Sequence, residues 1–129
     1  MPVLFVSDTQ KRPATRVRRM LRAVNAAVSG TLELSPGAVW VRYEPGSPDH
    51  YGEAGPVPRD GRPVFVIVRM VEGRDPRKVH RLFGAISSAI AGAFGMDAGY
   101  VWMRIEEFHT DKVGQGARSY TEIRRKKKR

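Results

Sequence analysis

The chain has no cysteine, which removes disulfides, thiol nucleophiles and thiolate metal sites from consideration. Histidine is scarce as well: His50, His80 and His109 are too far apart in sequence for metal-ligand spacing, so no metal site is expected. No apolar run approaches the eighteen or so residues that a membrane span requires, and no membrane association is expected. The N-terminus lacks a basic stretch followed by an apolar core, so a cytoplasmic location is expected. Acidic residues are few, 13 against 23 lysines and arginines, giving a net charge of +10. Six of those charges are the run Arg124-Arg125-Lys126-Lys127-Lys128-Arg129, which leaves about four on the rest (10 − 6 = 4). A terminal basic run of this kind reads as a solvated tail with salt-sensitive affinity for polyanions. The remaining chain carries no helix-turn-helix, zinc-finger or aromatic RNA-binding signature, so nucleic acid is expected only in nonspecific contact with that tail.

What the chain does have is an internal repeat. Val39-Trp40-Val41-Arg42-Tyr43-Glu44 recurs as Val101-Trp102-Met103-Arg104-Ile105-Glu106 at an offset of 62, and the offset runs without a gap from Arg12/Arg74 to Gly55/Ala117. It pairs Val17 with Val79, Arg19 with Arg81, Ala23 with Ala85, Gly30 with Gly92 and Gly37 with Gly99. Upstream, Pro2-Val3 matches Pro63-Val64 at an offset of 61, which makes Pro63 the expected counterpart of Pro2. A register held over so many residues marks a tandem duplication.

Each copy reads as β-α-β. The first strands are Val3 to Val6 and Val64 to Met70, the latter almost continuously apolar, as a strand covered on both faces should be. Helices begin near Pro13 and Pro76, where proline suits the first turn. Val17, Met20, Leu21, Val24 and Val28 form one apolar helix face, and Val79, Leu82, Phe83, Ile86, Ile90 and Phe94 form the other. Two strands joined through such a helix lie parallel. The fold expected is α+β: a tandem β-α-β repeat forming one four-stranded mixed sheet, with two helices on one face. The other face, left with apolar side chains, calls for oligomerisation. Residues 1–117 form a single domain on this reading, with units of about 2–55 and 63–117, a proline- and glycine-rich connection from Pro45 to Arg62 with a hairpin near Tyr51-Gly52, and a basic tail over 118–129.

Met1-Pro2 precedes the first strand directly. With Met1 removed, Pro2 presents a secondary amine, and an α-amino group titrates near pH 7.7–8.0 in the reference state, about where a general base is useful. A duplicated unit of this size behind Met-Pro resembles the tautomerase superfamily. The first copy is similar to 4-oxalocrotonate tautomerase over about residues 2 to 55, through Pro2, Arg12 and the loop His50-Tyr51-Gly52-Glu53-Ala54-Gly55. In the second copy Glu72-Gly73-Arg74 stands where the family often has Glu-Gly-Arg. In length the chain resembles fused members, including cis-3-chloroacrylic acid dehalogenase-like and malonate semialdehyde decarboxylase-like proteins.

The resemblance implies a homotrimer and a cofactor-independent enzyme. Pro2 would be the general acid/base moving a proton between carbon and oxygen of a small 2-oxo or unsaturated carboxylic acid. Arg12 and Arg74 would bind the carboxylate, and Tyr51 would form an apolar wall. One departure is Trp40, which stands where the family has a second substrate-binding arginine; Arg42, two residues on and on the same strand face, can take that role or pair with Glu44. The dehalogenase pattern of a helix histidine is missing, since Ala27 occupies that position, and hydrolytic dehalogenation is disfavoured against proton transfer. Two alternatives stay open: a proline-dependent decarboxylase, hydratase or dehalogenase of a three-carbon acid, and a non-catalytic trimer that binds anions.

Overall fold

The computed structural model describes residues 1–58 and 61–127; Lys128 and Arg129 of the basic run lie outside the described residues. Strand β1 (Val3–Ser7), helix α1 (Ala14–Leu32) and strand β2 (Trp40–Glu44) form the first unit, and β3 (Val64–Val71), α2 (Pro76–Phe94) and β4 (Val101–Phe108) the second. The four strands make one sheet in the order β2-β1-β3-β4. Within each unit the strands are parallel, and the units join through the antiparallel pair β1 and β3.

The helices are held by an apolar side chain once per turn. Met20, Val24, Val28 and Leu32 of α1 and Leu82, Ile86, Ile90 and Phe94 of α2 are buried, at identical places in the two copies. They meet Leu4, Val6, Val64, Val66, Val68 and Met70 from the sheet in one core. Each such side chain contributes about 1.5–3 kcal/mol by leaving water. Strand alternation then turns Val3, Phe5, Phe65 and Ile67 to the other face, where they are only partly buried. On that face Trp40 and Trp102 keep 47% and 50% of their surface exposed, so its centre is apolar and open.

The helix ends differ between the copies in an informative way. Glu33 and Gly95, 62 residues apart, both close their helices in the left-handed region, at φ 56° and 64°. Glycine adopts this conformation without a Cβ penalty, whereas glutamate does not. Glu33→Gly is therefore expected to raise the thermal midpoint by a few degrees, even though it deletes the exposed Glu33–Lys78 ion pair at 2.9 Å. Calorimetry of the two proteins at equal concentration checks this.

The structure corrects three expectations. Val3 pairs with Trp40 while Phe65 pairs with Trp102, so the offset is 62 in the first strands too. The counterpart of Pro2 is thus Val64, and Pro63 answers to Met1. A one-residue slip would turn every side chain to the other sheet face, and Pro2 and Val64 are both buried on the helix face. Near Tyr51-Gly52 there is no hairpin; a single 3-10 turn, Pro48–His50, is capped by the Ser47 hydroxyl. Finally, the segment from Arg118 is not merely a solvated tail. A short hairpin, β5 (Gly114–Gln115) with β6 (Arg118–Ser119), leads into helix α3 (Tyr120–Lys127). Tyr120 is buried and Ile123 half-buried, so α3 has an inward face that its charge run conceals in the sequence.

Candidate active site

Antiparallel pairing of β1 with β3 decides which groups meet. Val3 lies opposite Arg69, and carrying this register two residues on brings Met1 opposite Val71, where β3 ends. Arg74, three residues later, curls back and donates from Nη1 to the Val71 carbonyl at 2.9 Å. The start of the first unit therefore lies at the same end of the sheet as the arginine of the second. Beside them, the Trp40 N–H donates to the Pro2 carbonyl at 3.1 Å, and the Tyr120 hydroxyl reaches Met1 Sδ at 3.3 Å.

Arg12 lies at the other end. Six residues of extended strand separate Pro2 from Asp8, about 20 Å at ~3.3 Å per residue. There Asp8, with no exposed side-chain surface, accepts from Arg12 Nε at 2.8 Å, from the Tyr43 hydroxyl at 2.7 Å and from the Thr9 N–H at 2.8 Å. The Arg12 guanidinium stacks on Phe94, 4.2 Å from the ring centre, and only 8% of its side chain is exposed. Its charge is already matched and one of its planar faces lies on Phe94.

The second unit has no such cluster. At the shared offset Asp8 becomes Met70 and Tyr43 becomes Ile105, so Arg74 bonds a carbonyl in place of a carboxylate. Burial, then repulsion from Arg124, lowers its pKa, with Glu107 acting in the opposite direction. Arginine remains charged at neutral pH despite such shifts. Duplicated positions have thus diverged, one arginine into a buried ion pair and the other into a half-buried cation bonded to the end of β3.

The remaining sequence candidates are not assembled with Pro2 in one protomer. Arg42 pairs in register with Phe5, so it lies on the open sheet face, whereas Pro2 is on the helix face. Tyr51 packs on Phe65, with ring centres 6.4 Å apart, and its hydroxyl bonds Glu53. It lines an open hollow of about 390 Å³ with Pro58, Pro63, Tyr100 and Trp102, at the Arg12 end of the sheet. Thr9 Oγ1 donates to the Pro63 carbonyl at 2.8 Å, which fixes that end. Arg104, the repeat partner of Arg42, bridges to Glu106 at 3.6 Å within the chain, as does Arg69 at 3.2 Å. Sequence reasoning missed Asp8, Tyr43 and Tyr120. An acid four residues before Arg12, where the second copy has methionine, was the available signal for the first. Among the described residues no group of three His, Asp or Glu side chains could hold a metal ion, and no helix is long and apolar enough to cross a membrane.

Tyr43 also gives the molecule an alkaline limit. Burial, the hydrogen bond to Asp8 and the Asp8 charge all push its pKa well above the ordinary tyrosine range. A group with a raised folded pKa contributes stability in full below its unfolded pKa and loses it as pH climbs towards the folded value. Unfolded tyrosine ionises near pH 10, so stability should decline above about pH 10. In Tyr43→Phe this part of the decline is expected to vanish, as seen in urea midpoints taken between about pH 9 and 11.

A fused 4-OT described as a wild-type symmetric trimer is 18% identical, with a TM-score of 0.83 over 94% of this chain and 98% of that one. Pt0534, inactivated by 2-oxo-3-pentynoate, is 20% identical with a TM-score of 0.84, again over 94% and 98% of the two chains. This chain has the fused 4-OT fold. FG41 malonate semialdehyde decarboxylase, inhibited by 3-bromopropiolate, also shares it, at 20% identity and a TM-score of 0.78 over 96% of each chain. No family model matches the sequence, and no curated protein matches it. The fused 4-OT fold is therefore evident in the backbone at identities where side-chain roles must be argued from this chain's own contacts.

Proposed function

We propose that this protein is a tautomerase superfamily enzyme, cofactor-independent, in which the Pro2 amine acts as general acid/base in keto-enol proton transfer on a small 2-oxo or unsaturated carboxylic acid. The observation that supports this reading is that Arg74 bonds the carbonyl of Val71, the residue that the β1–β3 register sets opposite Met1, while the equivalent arginine, Arg12, is neutralised by Asp8. An arginine bonded to a carbonyl keeps its charge and can take a substrate carboxylate in a bidentate pair.

The chemistry follows from the positions. With Met1 removed, the Pro2 nitrogen is a base at a strand end, at the same end of the sheet as Arg74. Nearby positive charge and burial both disfavour the ammonium form, which brings the amine towards neutrality from its reference value of about 7.7–8.0. The amine takes the enol proton from oxygen and returns it to carbon, so no redox partner is involved. Arg74 holds the carboxylate and offsets the charge that develops on the enolate. Val64 in the second unit is mid-chain and its nitrogen is an amide, so the duplication leaves one proline-centred site per protomer.

The open sheet face, with Trp40, Trp102, Phe5 and Phe65, is the surface by which we propose the chain forms a homotrimer. The likeness to a fused 4-OT trimer supports it. A second reading, decarboxylation of a three-carbon oxo acid with the protonated Pro2 as the acid, is favoured by the likeness to malonate semialdehyde decarboxylase. The test is direct. Intact mass establishes whether Met1 is removed, and enol-to-keto conversion of phenylenolpyruvate and 2-hydroxymuconate is then followed in wild type and Pro2→Ala. Equal rates in the two would remove proline chemistry from consideration. Carbon dioxide release from malonate semialdehyde, with no ketonisation, would select the second reading.

A further inference from the structure

Among the described residues helix α3 has no equivalent in the first unit, yet it comes to the start of β1. Its first residue, Tyr120, keeps only 9% of its surface exposed. The Tyr120 hydroxyl bonds the Met1 thioether at 3.3 Å, and a thioether is a weak acceptor. If Met1 is removed, that partner goes with it, and the hydroxyl faces the space the methionine side chain has left beside Pro2. Burial raises the Tyr120 pKa, so the group stays a neutral donor through neutral pH.

The helix is held firmly in this place. The Tyr120 N–H donates to the Val113 carbonyl at 2.8 Å. Ser119 and Glu122 form a reciprocal cap: the Glu122 N–H donates to Ser119 Oγ at 3.3 Å, and the Ser119 N–H donates to Glu122 Oε1 at 3.3 Å. Thr121 Oγ1 bonds Thr110 Oγ1 at 2.6 Å. One turn after Tyr120, on the same helix face, stands Arg124. Arg124 is close enough to Arg74 to repel it electrostatically. The fold thus brings the Tyr120 hydroxyl to the place where the chain begins, with Arg124 one turn further along the same helix and Arg74 at the adjoining end of β3.

We infer that α3 forms a wall of the Pro2 site, with the Tyr120 hydroxyl and the Arg124 guanidinium as carboxylate ligands that act together with Arg74. The inference rests on the proline reading for the location of the site. It adds a specific anion pocket: an oxo acid seated there places its carboxylate between the two arginines, relieving their repulsion, and receives a third hydrogen bond from Tyr120. Binding in this pocket requires the Met1 side chain to be gone.

Met1-free protein, verified by intact mass, provides the test as wild type, Arg124→Gln, Arg124→Lys, Tyr120→Phe and Pro2→Ala. The dissociation constant for phenylpyruvate is read by titration calorimetry, and kcat and KM for phenylenolpyruvate by absorbance. Arg124 is exposed and Tyr120→Phe keeps the ring, so these variants keep the fold. Arg124→Gln is expected to weaken phenylpyruvate binding and raise KM by about tenfold or more, as for a lost charge-assisted hydrogen bond, with kcat little changed. Arg124→Lys should recover part of the loss, and Tyr120→Phe should weaken binding several-fold. Affinity and KM within about twofold of wild type in both Arg124→Gln and Tyr120→Phe would overturn the inference, whatever Pro2→Ala does. Full activity in Pro2→Ala, with weakened binding in Arg124→Gln, would discard proline chemistry and keep the α3 wall.

Discussion

Pro2→Ala is expected to lower kcat/KM for enol-to-keto conversion by about 10²–10⁴-fold, the range over which a positioned acid/base group acts. That corresponds to roughly 3–5 kcal/mol of transition-state stabilisation. The loss is large because the variant keeps an amine but loses its ring. An alanine amine rotates freely, whereas the pyrrolidine nitrogen is held by a ring whose carbons are buried against the helices and whose carbonyl is held by the Trp40 N–H. A chain that keeps Met1 should fall further, because an acylated nitrogen has no lone pair available for a proton. The pH profile separates the cases. If the free amine is the base, kcat/KM rises with pH through the amine pKa and then levels; the Met1-bearing chain shows no such limb. Folding is monitored alongside by circular dichroism, since the substitution also trims a buried side chain.

The largest effect on stability is expected at Asp8. Its carboxylate has no exposed surface and serves Arg12, Tyr43 and the Thr9 N–H at once. In Asp8→Asn the volume is conserved, but Arg12 is left as a nearly buried cation facing an amide. Breaking a buried pair from one side costs about 3–5 kcal/mol, roughly a fifth or more of the stability of an ordinary domain. The urea midpoint should fall accordingly at an unchanged slope, with protein concentration held fixed because subunit association contributes to the same equilibrium. Asp8→Leu combined with Arg12→Met removes both charges and should recover most of the loss. The double variant is also informative about function. If Arg12 is purely structural in this protein, the double variant retains ketonisation; if a neighbouring protomer's site uses Arg12, activity falls while stability returns.

The repeat made most of the fold legible. Apolar residues once per helical turn, at the same offset in both copies, predict two helices on one side of a sheet, and the parallel pairs within each unit are as expected. The slip at Pro63 shows the limit of reading by matched letters. Two prolines attract alignment, but a strand's register is set by which face is buried, and Leu4, Val6, Val66 and Val68 align only at 62. Charge misled in a similar way at the C-terminus. Six consecutive cations obscure the fact that Tyr120 and Ile123 sit on one face of a helix.

By itself, the sequence determined the duplication, the α+β class, the apolar sheet face and the proline next to β1, because periodicity and offset are properties of the chain. It also supplied arginines in equivalent positions but could not rank them. Only the tertiary structure decided that the antiparallel pairing of β1 with β3 brings Arg74, and not Arg12, to the end where Pro2 lies. Only in the folded chain does Asp8 meet Arg12, at the opposite end, and does α3 bring Tyr120 to Met1. The physical reason is that partner choice for a buried charge depends on which strand ends coincide in space, and that is fixed by hydrogen-bond register between units 62 residues apart rather than by any local pattern.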